Sequence, residues 1–279
     1  AYAVDALNYR TAGLIDTHVA ATPHDPNDGA AAVAALEEYA IEASVAKVAG
    51  SEMLDYVLDE NLQIHGGNGF VKDYPPERHY RDARVNRIFE GTNEINRLLI
   101  PGMLARRAFK GDLGIIPAAK ALQEELLGPP EMPEADDRVL ADERRALDGF
   151  RKVGLMVLGL AMQTYREKLA TEQEVLMHTA DILIDLYSAD SAVLRAISAV
   201  EAGVQKSSLH VDAARVFVND AAMRIEASAK QALAIMAEGD VLRMALSGLR
   251  RLLKVTPQNT AVMRRRLADE AVARGNYIF

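Results

Sequence analysis

Two short stretches hold residue types that could do chemistry: QIHGGNGF over residues 63–70 and RIFEGTNEI over 87–95. In the second, Glu90 stands before Gly91 and just ahead of a helix start. A carboxylate there projects from a chain turn, and the glycine leaves room for a substrate beside it. The free N–H groups of the first helical turn, near Thr92 to Ile95, can receive an electronegative group. A carboxylate that removes a proton needs such a pocket, partly desolvated and with donors close to the anion being made. In the first stretch, Gly66, Gly67 and Gly69 remove side chains where a helix ends, so a ligand could approach the backbone closely. Gln63, one turn earlier, could offer its amide. Taken singly, each stretch also has a purely structural reading: a helix C-cap with its turn, and a surface glutamate before a capped helix.

The elements that must position these residues are helices. Residues 1 to about 19 read as one helix, closed by the loop AATPHDPNDG. A long helix is expected over about 30–65, with Leu36, Val45, Val48, Met53 and Val57 in its core and a left-handed stop at Gly66 and Gly67. A short helix starts near 76, where Pro76 suits the first turn. Thr92 reads as the N-cap of the next helix, whose stripe Ile95, Leu98, Leu99, Gly102 and Met103 has core spacing and whose Pro101 should kink it. The glycines and prolines of 111–135 mark a linker, with a short helix near 118–127. Beyond it, helices are expected over about 136–170, 172–204, 207–237, 240–254 and 259–273. The run VGLMVLGLAM (153–162) is apolar on every side and should be central. Ile182, Leu186, Ala189, Val193, Val200 and Val204 share a face of the helix after it. No alternating strand pattern occurs. The expected fold is all-α, with a helical domain over 1–110, a linker over 111–135 and a second helical domain over 136–279.

Composition agrees. The chain has 279 residues, 49% of them apolar, with only 5% aromatics and no Trp, so Ala, Leu, Val, Ile and Met fill the core. A net charge of −8 argues against a nucleic-acid partner. The absence of cysteine excludes disulfides, thiolate catalysis and Cys-based metal sites, and a reducing, cytoplasm-like compartment is the natural setting. The start AYAVDALNYR reads as a helix already under way, as though the chain begins inside a larger protein. The basic residues Arg250, Arg251, Lys254 and Arg264 to Arg266 read as a solvated face or as partners for acidic neighbours. Glu174 and His178, four apart on one helix, have metal-ligand spacing but lack the second pair that a di-iron bundle wants.

Together, the two glycine stretches carry a resemblance. The segment LQIHGGNGFVKDYPPERHYRDARVNRIFEGTNEINRLLI resembles the C-terminal signature of the flavin-dependent acyl-CoA dehydrogenases, and the likeness covers about residues 1–109. Its pieces, Q-x-x-G-G-N-G-F, an Arg-Asp-Ala-Arg block and I-F-E-G-T-N-E-I, follow in the family's order and spacing. The resemblance implies that Glu90 is the catalytic base. It would take the α-proton of an acyl-CoA thioester while the β-hydrogen leaves as hydride to the flavin. Gly91 would lie against the substrate. Thr92, Asn93 and Glu94 match a segment that touches FAD. Gln63, Ile64, His65, Gly66 and Gly67 match the segment that holds the adenine half of FAD, usually from a neighbouring subunit. Ile64 and His65 vary within the family, and His65 by itself reads as a helix-end histidine near solvent. Arg81, Asp82 and Arg84 are expected to form ion pairs that orient the Glu90 turn.

The family's N-terminal helical domain and middle β-domain do not occur in this sequence, nor does the first helix of the C-terminal bundle. The chain alone is therefore expected to bind no FAD and to oxidise no acyl-CoA. The region past the linker resembles the extra C-terminal domain of the very-long-chain branch, which implies long acyl chains, a homodimer and a tie to membranes. The segment DLGIIPAAKALQEELLG has a poor charge balance for anionic lipid, which argues against that tie. The expected function is the C-terminal part of an FAD-dependent acyl-CoA dehydrogenase of fatty-acid β-oxidation. It would pass electrons to an electron-transfer flavoprotein, in a bacterial cytoplasm or, in a eukaryote, the mitochondrial matrix. Two rivals stand beside it: a non-catalytic helical module acting by association, and a metal-binding bundle.

Overall fold

The computed structural model describes residues 1–22, 29–129 and 136–279. The loop expected after the first helix falls mostly, and the end of the expected linker wholly, outside these residues. Among the described residues the chain is helical, with no strand. Its helices are α1 (Tyr2–Ala21), α2 (Ala30–Glu38), α3 (Ala40–Ile64), α4 (Pro76–Arg84), α5 (Asn93–Lys110), α6 (Ile115–Leu127), α7 (Ala141–Tyr165), α8 (Gln173–Glu201), α9 (Ser207–Met236), α10 (Gly239–Leu252) and α11 (Thr260–Arg274). Short 3-10 turns occupy Gly66–Phe70, Val85–Arg87 and Arg166–Thr171. No helix among the described residues is long and apolar enough to cross a membrane.

The chain falls into two compact units, residues 1–100 and 101–279, apart from Tyr2, which groups with the second. In the first unit α3 is the spine. Helix α4 and the 3-10 turns at 66–70 and 85–87 pack against it, and α2 adjoins it. Val45 and Val48 are buried on α3, and Leu7 and Ala35 are sealed completely. Two expectations need correction here. The single helix over 30–65 is broken at Tyr39 (φ −96°, ψ 21°), which separates α2 from α3. Leu36 and Val57, expected in the core, are more than 40% exposed; Val57 stands nine residues after Val48 on α3, two and a half turns on, and so faces away from it.

The second unit is built on α7, α8 and α9, with α8 and α9 making the most extensive packing. Its sealed core includes Phe150, Val153, Val157, Ile182, Val193, Ile225 and Leu233. The run over 153–162 is central as expected, with Val153, Gly154, Val157, Leu158, Ala161 and Met162 buried. On α8 the expected face holds through Ile182, Ala189 and Val193, while Val204 lies past the helix end and is exposed. Part of the expected linker forms α6, which packs on α7. Arg251 closes the end of α6: its guanidinium donates to the carbonyls of Leu126, Gly128 and Pro129 at 2.7–3.0 Å. Arg266 pairs with Asp212 at 2.6 Å and Arg264 pairs with Asp220. Much of the basic C-terminal region is thus spent on carbonyls and carboxylates of its own unit.

Candidate active site

The site lies in the first unit, where the chain leaves the 3-10 turn at 85–87 and enters α5. Glu90 has φ +56° and Gly91 φ +79°, two left-handed residues in a row. For Gly91 this conformation is free of steric cost. For Glu90 it costs about 1–2 kcal/mol, which the surroundings must offset. Leu140, Arg166 and Lys206 take the same sign of φ elsewhere in the chain, so what sets the Glu90 turn apart is the network that holds it. The Glu90 side chain is exposed, with no ion-pair partner among the described residues.

A polar network on α3 holds this turn. The Lys47 ammonium donates to the Gly91 carbonyl at 2.6 Å and to Asn93 Oδ1 at 2.7 Å. Asn96 Nδ2 donates to the same Gly91 carbonyl at 2.9 Å and to the Thr92 carbonyl at 3.1 Å. Thr92 caps α5, its hydroxyl accepting from the Ile95 N–H at 3.2 Å. Asn93 is fully buried, and its amide donates to Ser51 Oγ at 2.9 Å and to Glu52 Oε1 at 3.1 Å. Arg97 grips the Glu52 carboxylate with both terminal nitrogens, at 2.6 and 2.9 Å. Arg87 reaches Asp55 Oδ2 at 2.9 Å. Burial works to raise the Glu52 pKa, but Arg97, Asn93 and Arg87 together hold it below the ordinary glutamate value. Glu94 is exposed, and its carboxyl is also held low, first by its own backbone N–H and then by the Thr92 hydroxyl.

The other glycine stretch lies at the end of α3. Gln63, Ile64, His65, Gly66 and Gly67 are all exposed, and Gly66 takes the expected left-handed conformation with φ +57°. His65 bonds back to the Asn61 carbonyl at 2.8 Å, as a helix-end histidine does. Nothing lies within 4 Å of where a Cβ would stand on Gly66 or Gly67, so that backbone is open to a flat ligand. Gly69 differs, because a Cβ there would meet the Leu62 carbonyl oxygen at 2.3 Å. Its role is to let the 3-10 turn fold back on α3.

Three expectations for the site are corrected. Asn93, matched to a cofactor-touching segment, turns its side chain into the interior, where Lys47, Ser51 and Glu52 occupy it. Arg81, Asp82 and Arg84 are exposed on α4 and do not brace the Glu90 turn; Arg87–Asp55 and Arg97–Glu52 take that place. The α5 stripe was assigned to the wrong face. Ile95 and Leu99 are exposed, while Asn93, Ile100, Ala105 and Ala108 are buried. Helix α5 also runs through Pro101 to Lys110 without interruption. Sequence reasoning missed Lys47, Ser51, Glu52, Asn96 and Arg97 altogether. The one signal for them was the helical spacing of Lys47, Ser51 and Asp55, which marks a polar face on an otherwise apolar helix. Among the described residues no group of three or more His, Asp or Glu side chains could hold a metal ion.

The exposed residues leave two places where a ligand could meet the chain. An open glycine backbone lies at 66–67, and an exposed carboxylate precedes a helix N-terminus. Residues 2–104 and 149–251 each match a family model described as acyl-CoA dehydrogenase, C-terminal domain. A probable acyl-CoA dehydrogenase of Bacillus subtilis is 46% identical over 270 residues, covering 96% of this chain and 45% of that protein. A crystal structure of an acyl-CoA dehydrogenase complexed with FAD from Bacillus anthracis superposes with a TM-score of 0.94 at 45% identity, over 100% of this chain and 47% of the other. The mitochondrial short-chain specific acyl-CoA dehydrogenase of Bos taurus is 51% identical over 65 residues, 23% of this chain and 16% of that protein. The chain thus spans under half the length of these relatives. With both of its helical regions matched, it belongs to the acyl-CoA dehydrogenase C-terminal domain family.

Proposed function

We propose that this chain supplies the base-bearing C-terminal part of an FAD-dependent acyl-CoA dehydrogenase, with Glu90 as the base that removes the α-proton of an acyl-CoA. The observation that carries this reading is the turn itself: two successive left-handed residues, clamped from α3, with the Glu90 carboxylate left exposed. A carboxylate serving only as a solvated surface group would gain nothing from a strained backbone held by a buried network. Thr92 and Glu94, at the start of α5, and the open backbone of Gly66 and Gly67 would hold FAD, with Gln63 beside them. FAD, when bound, supplies the hydride acceptor. Gly91, next to the base, would lie against the thioester.

Finer points follow as proposals. A preference for long acyl chains rests on the second helical domain, which the two Bacillus relatives match and the 65-residue short-chain match is too short to contain. An electron-transfer flavoprotein as acceptor and a homodimeric state follow from family likeness. A second reading, in which this stretch by itself is an association module that binds no FAD, is favoured by its spanning under half the length of its relatives.

The decisive experiment uses the longer polypeptide that contains this chain, purified with flavin bound. Glu90→Gln should leave the flavin content unchanged but abolish bleaching of the flavin absorbance by a saturated acyl-CoA under anaerobic conditions. Bleaching at the parental rate would reject Glu90 as the base.

A further inference from the structure

We propose that Lys47 is a positioning residue for Glu90, fixing the direction of the carboxylate through the Gly91 peptide; the proposal rests on the reading of Glu90 as the base. Lys47 lies 43 positions earlier in the sequence, on α3, in neither glycine stretch. Its half-buried ammonium is used on two acceptors, Gly91 O at 2.6 Å and Asn93 Oδ1 at 2.7 Å. Both acceptors are neutral. An ammonium has three donors and a strong preference for water or a carboxylate, so holding it against a carbonyl and an amide is a specific arrangement.

The geometry says what that arrangement does. Glu90 and Gly91 are both left-handed, and a glycine at 91 leaves the backbone between Glu90 and the start of α5 free to rotate at little cost. Rotation about the Cα–C bond of Gly91 would carry Glu90 away from its present direction relative to α5. Lys47 and Asn96 oppose that rotation by holding the Gly91 carbonyl oxygen, at 2.6 and 2.9 Å. Asn96 sits on α5 and moves with the turn, whereas Lys47 is anchored on another helix. Of the two donors to the Gly91 carbonyl, Lys47 is thus the one that ties this peptide to α3. Its second bond, to Asn93, sets the start of α5 in the same frame, and Ser51 and Glu52 hold Asn93 from the next turn of α3. The ammonium also polarises the Gly91–Thr92 peptide, which makes the Thr92 N–H a stronger donor at the helix start.

The test measures the reductive half-reaction of the flavin-loaded, full-length protein with palmitoyl-CoA by anaerobic stopped flow. Lys47→Met keeps the length and removes the donors. Flavin content and the acyl-CoA dissociation constant should stay within about two-fold, while flavin reduction should slow roughly 10- to 100-fold, the range expected for losing one or two charge-assisted hydrogen bonds from a reacting geometry. The isotope effect from deuterium at the α-carbon should rise, because a misaimed base makes that step slower. Lys47→Arg should recover part of the rate and Lys47→Gln less. If Lys47→Met fails to retain flavin, the order Lys, Arg, Gln in reduction rate at constant affinity decides the matter. Equal rates across the retained variants, or a loss confined to affinity and flavin content, would overturn the proposal. Glu90→Gln in the same assay separates the two claims. Bleaching in that variant defeats the base assignment, whereas an inert Glu90→Gln beside a fully active Lys47→Met defeats the Lys47 role alone.

Discussion

Replacing Asn93 by leucine tests whether the network beneath the Glu90 turn is a working structural unit. Leucine has the branched skeleton of asparagine with methyls for its polar atoms, so the change removes polar partners without opening a cavity. Asn93 is fully buried and its side chain has three partners: it accepts from the Lys47 ammonium at 2.7 Å, donates to Glu52 at 3.1 Å, and is bonded to the Ser51 hydroxyl at 2.9 Å. Two of these involve a charged group, each contributing about 1.5–3 kcal/mol, and the third is neutral, at about 1 kcal/mol. Against this gross loss of roughly 4–7 kcal/mol stands the gain from no longer burying an amide, about 1–3 kcal/mol. Glu52 keeps Arg97, and Lys47 keeps the Gly91 carbonyl. The net cost should be about 3 kcal/mol. At 1.36 kcal/mol per decade this corresponds to an acceleration of roughly 150-fold in native-state hydrogen exchange for amides protected by the packing of α3 on the start of α5. Exchange in α7 to α9 should change little, since those helices belong to the other compact unit. An acceleration below about three-fold at the α3 and α5 amides would refute the reasoning, because it would place less than about 0.7 kcal/mol in the network.

Two further outcomes follow. Gly69→Ala should destabilise the end of α3 by about 2 kcal/mol or more, since its methyl would stand 2.3 Å from the Leu62 carbonyl, whereas Gly67→Ala, with open space around it, should stay within about 0.5 kcal/mol; thermal melts of the pair check the contrast. Glu52 supplies a pH dependence of known sign: its folded pKa lies below the unfolded value of 4.5, so the native state binds fewer protons there. Its stabilisation is complete above pH 4.5 and fades as the pH falls through the folded value. Arg97→Met should therefore flatten that part of the urea-midpoint profile below pH 4.5, and an unchanged profile would rule out the Arg97–Glu52 pair as its source.

The local features were legible in the sequence because their causes are local. Alanine- and leucine-rich stretches without a two-residue period read as helices, and the helices expected over 172–273 are found as α8 to α11, broken near Gly203, Gly239 and Pro257. Thr92 capping α5, Gly66 ending α3 and Glu90 on a turn before a helix are each decided within about four residues of chain. What the tertiary structure decided is how distant segments meet. Helical spacing on α5 was compatible with two neighbouring faces, and the packing in the folded chain chose the one carrying Asn93, Ile100 and Ala108. That choice turned the Asn93 side chain inward and brought Lys47, Ser51 and Glu52 to it across 41 to 46 residues of sequence. The break at Tyr39 likewise follows no glycine or proline. The rotational phase of one helix against another depends on how whole faces interlock, and no local pattern encodes it. The Glu90–Gly91 turn could therefore be found in the sequence, while Lys47, which holds it, became visible only in the fold.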